Sequence, residues 1–122
     1  MLFILSTYCA TKFRVISYEG TRASMIDTET LSPQQQSNDI SRSTLHTGRN
    51  LNLNLVWIKT EEKPHFHEND IIVIILEGKG TLYLGGKTVD LKKGDIVFIP
   101  QKVEHYFVNK SSKPTIAISI SP

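Results

Sequence analysis

The chain is predicted to be all-β, a sandwich or barrel, on three observations. Apolar and polar residues alternate over short runs from Leu51 to the closing Ile116, Ile118 and Ile120, the period that buries one face of a strand. Turn residues interrupt those runs at the roughly 8–12-residue spacing of sandwiches and barrels. No segment carries a convincing amphipathic helical period.

The elements follow in order. Residues 1–50 read as an N-terminal arm and residues 51–122 as the barrel. The apolar start "MLFILSTYCATKF" has two readings. Residues 1–9 are either the remnant of a signal or lipoprotein segment, with Cys9 the lipidated residue, or an N-terminal strand or loose arm with a lone buried thiol. The missing basic region, the short apolar segment and bulky Tyr8 argue against the lipoprotein. Residues 20–50 are rich in Ser, Thr, Gln, Asn and Asp without a clean period, and read as an extended arm with room for one or two strands, one of them around Arg42–His46.

"LNLNLVWI" alternates, with Leu51, Leu53 and Leu55 expected to fill the core while Asn52 and Asn54 face water; if the asparagines point into the barrel instead, they become hydrogen-bonders to a ligand. Lys59 to Lys63 is a charged loop, and Pro64 is expected to open the next strand. The run Ile71 to Leu76 suits a buried strand and is far too short to span a membrane. Glu77–Gly80 is a turn, "TLYLGGKTVDL" a hairpin closed by Gly85-Gly86, and Lys92–Asp95 a further turn. "IVFIP", "EHYFVN" and "TIAISIS" complete the strands.

Composition narrows the partners. The net charge is +2, and the 14 Lys and Arg residues are scattered, with no run longer than Lys92-Lys93, so a nucleic-acid footprint is not expected. The single Cys9 excludes an intramolecular disulfide and a thiolate-based zinc cluster. Localisation is open between the cytoplasm and an extracytoplasmic lipoprotein anchored through Cys9.

Two residues apart on a strand, side chains point to one face. His65 and His67 in "PHFHEND" therefore project together, with Phe66 opposite. Two imidazoles so held can chelate one divalent metal, or they can be a surface turn before a buried strand. His105 is a third histidine, on "EHYFVN". Acid/base chemistry beside a metal would call for an inward carboxylate or phenol, and Asp70, Glu104 and Tyr83 are the candidates; Glu104 and Tyr83 are also the weak candidates for catalysis.

From Lys59 to Asn109 the chain resembles the cupins, the small jelly-roll or double-stranded β-helix family. His65, His67 and Gly78 fall on the first cupin motif, G-x5-H-x-H-x3or4-E-x6-G. Gly94, Pro100, His105 and Asn109 fall on the second, G-x5-P-x-G-x2-H-x3-N. Lys59 and Lys102 stand where those motifs have glycine, so the second turn must be built differently or hold a strained residue. Ile71 or Ile72 stands where the first motif has its carboxylate.

The resemblance implies a jelly-roll barrel with His65, His67 and His105 as metal ligands. The fourth position is vacant, filled by water, or taken by Asp70 if a bulge swings it inward; three histidines alone are expected. Three neutral imidazoles leave a divalent charge uncompensated, which favours an anionic ligand. The ion is iron, nickel, zinc, manganese or copper, among which ligand type alone does not choose. The expected partner is a small oxygen-bearing or anionic molecule, with dioxygenase- or isomerase-like chemistry. The alternatives are a non-catalytic binding or sensing module, or a degenerate cupin without tight metal. The resemblance also implies a homodimer, which a clean monomer in light scattering would count against.

Overall fold

The structure is a computed structural model that describes residues 12–28 and 31–122; the segment around Cys9 lies outside the described residues. Every strand pairing in it is antiparallel and no described residue is helical. The chain divides into two compact units, Met1–Ser32 and Pro33–Pro122. Within the first, β1 (Arg14–Glu19) and β2 (Arg22–Asp27) form a hairpin that turns at Gly20.

The second unit is a two-sheet barrel. One sheet has six strands in the order β3-β4-β5-β11-β6-β9, namely Gln35–Gln36, Ile40–Thr47, Asn52–Ile58, Thr115–Ser121, Ile71–Glu77 and Ile96–Ile99. The other has three in the order β10-β7-β8, namely His105–Asn109, Lys79–Leu84 and Lys87–Lys92. The barrel therefore begins before residue 50: β4 pairs with β5 through Ile40↔Ile58 and Arg42↔Val56. Ser41 and Ser43 are buried on β4, so this strand never shows the apolar alternation that would announce it.

The core lies between the sheets. Val56, Ile58, Ile75 and Ile99 come from the larger sheet, and Leu82, Leu91 and Phe107 from the smaller. Burying each such side chain contributes about 1.5–3 kcal/mol relative to exposure. Register places Asn52 and Asn54 on the same sheet face as Val56, because Ser119↔Asn54 and Ala117↔Val56 are successive inward pairs. The expectation that Leu51, Leu53 and Leu55 fill this core is thus corrected. Leu55 is buried on the opposite face, and Leu51 is exposed. Both faces of the sheet carry apolar residues, so alternation alone cannot say which one is inside.

Two corners set the site's frame. Chain direction changes at Gly78, φ 91°, where β6 leaves one sheet and β7 enters the other. Asn109 ties the last turn together: its amide nitrogen donates to the carbonyls of Lys59 (3.0 Å) and Lys113 (2.9 Å), while its oxygen accepts from Ser111 N–H (3.0 Å) and Thr115 Oγ1 (2.7 Å). That is the turn-stabilising role its place in the second motif suggests.

Candidate metal centre

Residues 59–70 do not form the regular strand expected from Pro64 onward; they cross the barrel mouth with isolated bridges only. One of these pairs His65 with His105, each N–H donating to the other's carbonyl at 3.0 and 2.8 Å. His67 is anchored through its own carbonyl, which accepts the Lys102 N–H at 2.7 Å. Main-chain hydrogen bonds therefore tether all three histidines to the turn and strand of the second motif. Lys102 makes its bond from a left-handed conformation, φ 61°, the only non-glycine there among the described residues. Such a conformation costs an L-residue roughly 1–2 kcal/mol. The glycine position of the second motif is thus filled by a strained lysine, while Lys59 needs no positive φ.

The three rings converge. Centroids are 4.4 Å apart for His65–His105, 4.9 Å for His65–His67 and 5.1 Å for His67–His105, and one nitrogen from each lies within 4.8 Å of the others. Protonation follows from the outer contacts. His65 Nδ1 lies 2.7 Å from the Lys63 carbonyl and His105 Nδ1 lies 2.9 Å from the Val103 carbonyl. A carbonyl only accepts, so each Nδ1 carries the proton and each Nε2 keeps a free lone pair. This is the arrangement by which an outer hydrogen bond orients a metal-binding histidine. His105 is 3% exposed, and His65 and His67 are half-buried. The donor set fits a divalent transition metal.

His67 is held below its ordinary value of 6.5, first by burial and then by the neighbouring His65, His105 and Arg42. Its neutral, ligand-competent form is therefore favoured. Below about 6.5 the unfolded chain takes up a proton that folded His67 resists, so stability rises with pH across that window and is lost as pH falls through it. Metal-free protein should melt at a lower temperature at about pH 5.5 than at pH 7.5, and His67→Gln should flatten that difference. Equal pH profiles for the two proteins would contradict the assignment.

The sequence-derived acid/base candidates lie elsewhere. Asp70 is exposed, faces an outer groove with Leu51 and Phe98, and accepts the Gln101 N–H at 2.9 Å. Glu104 is exposed. Tyr83 stacks on Tyr106 at 4.5 Å, on the face of the smaller sheet away from His105. None of them lines the histidine cavity.

Two charged residues that sequence reasoning passed over do line it: Arg42 on β4 and Glu62. Glu62 is fixed by a two-way tie to Phe107, its N–H donating to that residue's carbonyl (2.9 Å) and its Oε1 accepting that residue's N–H (3.0 Å). No short motif marks either residue; only the β4–β5 register and the Glu61↔Val108 bridge bring them in. The cavity is about 70 Å³, with walls from Val56, Ile71 and Leu82. A water needs roughly 10–15 Å³ of such space, so the interior takes a ligand of about five or six non-hydrogen atoms.

Comparison with known proteins adds the family context. A family model described as "Cupin domain" matches residues 55–121. An uncharacterized protein of Aquifex aeolicus (strain VF5) is 43% identical over 74 residues, 60% of this chain and 61% of that one. An acireductone dioxygenase of Bacillus thuringiensis (strain Al Hakam) is 31% identical over 64 residues, 48% of this chain and 38% of that one. The chain thus spans less than two thirds of the length of either relative. Among solved structures, KdgF from Halomonas sp. superposes with a TM-score of 0.70 at 22% identity, covering 78% of this chain and 89% of that one, a likeness of fold.

Proposed function

The chain belongs to the cupin domain family, and from that membership we propose that it works as a metal-dependent cupin, holding one divalent transition ion on His65, His67 and His105 and acting on a small oxygen-bearing or anionic ligand. The observation that carries the reading is the convergence of three imidazoles whose Nδ1 positions at His65 and His105 are turned to backbone carbonyls. An ion there supplies Lewis acidity and coordination positions open to the ligand.

The rest falls to the chain. Val56, Ile71 and Leu82 give the interior an apolar wall, and charge interactions beside such a wall are stronger than in open water. Dioxygenase-like chemistry is the leading form of the proposal, supported by the similarity of about half of this chain to an acireductone dioxygenase. An isomerase-like form would rest on Glu62, the carboxylate that lines the cavity, as the group that moves the proton.

The test is elemental analysis of protein purified without a metal-binding affinity tag, with about one equivalent of a first-row metal per chain expected. Protein that carries none, and takes none up from stoichiometric iron or nickel, would sink the reading. Oxygen uptake with a small enediol then separates the two forms. Consumption above the metal-free rate supports the dioxygenase; turnover without oxygen supports the isomerase.

A further inference from the structure

Arg42 stands where an apolar wall would be expected. It projects from β4 on the face shared with Ile40 and Val56, and it lines both the histidine cavity and the groove outside it, where Asp39, Glu62, Lys63 and His67 also lie. It therefore sits at the passage between the two. The side chain is half-buried, and its guanidinium has no hydrogen bond or ion pair among the described residues. A charge taken out of water without a partner is costly.

The three acids of that groove, Asp39, Glu61 and Glu62, make no ion pair with it, and two of them have other partners. Glu62 Oε1 accepts the Phe107 N–H, and Asp39 Oδ1 accepts the Thr60 hydroxyl. Two positive centres, a guanidinium and the ion that three neutral imidazoles would hold, would then outweigh the one Glu62 carboxylate that lines the same small cavity. Such a pair leaves room between for an anion that satisfies both. A cavity of about 70 Å³ suits an anion about the size of oxalate.

We propose that Arg42 is a specificity-determining residue that recognises the carboxylate or enediolate of a small bifunctional oxygen anion, whose other end faces His65, His67 and His105. The inference rests on the metal-dependent reading above and names its substrate class. A guanidinium suits this task because its planar fork meets a carboxylate through two parallel hydrogen bonds, each charge-assisted.

The experiment titrates oxalate, and separately neutral imidazole, into metal-loaded wild type, Arg42→Gln and Arg42→Lys, with metal content measured on each sample. Expected is a roughly 10- to 100-fold weaker oxalate affinity in Arg42→Gln, the range of a lost charged hydrogen-bond pair. Arg42→Lys should recover part of it, and imidazole should bind all three alike. Oxalate affinity unchanged within twofold at equal metal content would overturn the proposal, and so would an equal loss for imidazole, which would mark a general disturbance of the site. If the wild type holds no metal, the metal-dependent reading fails, and the same titration on metal-free proteins still reads Arg42. Weaker oxalate binding in the glutamine variant would then support the anion site; equal or absent binding in both would overturn it.

Discussion

Replacing His105 by alanine is expected to empty the centre, lowering bound metal from about one equivalent per chain to under a tenth of that. Folding free energies of metal sites run to roughly 10–16 kcal/mol over four ligands, so one ligand in three is worth several kcal/mol. His105 should be the most damaging single loss because it is the buried member and the one tied to both neighbours in the barrel. It pairs with Leu84 on one side and bridges His65 on the other. His65→Ala should behave alike. Since removing a buried ring also leaves a cavity, His105→Asn provides the control: its amide can donate to the Val103 carbonyl as Nδ1 does, while offering no imidazole to the ion. Metal lost in both variants, with the asparagine protein melting near the metal-free wild type, is the expected pattern. Equal metal in wild type, alanine and asparagine proteins would remove the site assignment.

How much of this was readable in advance depends on which kind of information each residue carries. His65, His67 and His105 were legible because the spacing of Gly94, Pro100, His105 and Asn109 reflects local geometry, a turn and a short strand whose dimensions the chain itself dictates. Lys102 was legible as a departure, and the positive φ it adopts is what a motif glycine would have supplied. Asp70 could not be placed from the chain alone, since one bulge reverses the face a residue takes; here it caps the Gln101 N–H outside the cavity. Arg42 and Glu62 were invisible for a different reason. Neither belongs to a recognisable spacing, and both reach the cavity through pairings far along the chain, Arg42↔Val56 and the tie from Glu62 to Phe107. Leu53 and Leu55 misled because a strand with apolar residues on both faces has no periodic signature of inside and outside.

The second large effect concerns stability, and it lies at Gly80 on β7. A Cβ built there would stand 2.2 Å from the Val108 carbonyl oxygen and 2.4 Å from Cζ of Phe107. Neither neighbour can give way cheaply. The oxygen belongs to the backbone of β10, the strand paired with β7, and Phe107 is 3% exposed in the core. Gly80→Ala is therefore expected to destabilise the fold by at least about 3 kcal/mol, the upper end of what overpacking costs. Gly86→Ala is the contrasting case, in which conformation and not space is the cost. Gly86 has a positive φ, 82°, which Gly80 does not, and nothing lies within 4 Å of its Cβ position, so only the conformational penalty of roughly 1–2 kcal/mol applies. Urea unfolding with an unchanged slope measures both. Because β10 also carries His105, the Gly80 variant should in addition hold its metal more weakly, whereas the Gly86 variant should not. A Gly80→Ala protein as stable as Gly86→Ala would mean that β7 and β10 do not approach as closely as the register Gly80↔Asn109 requires.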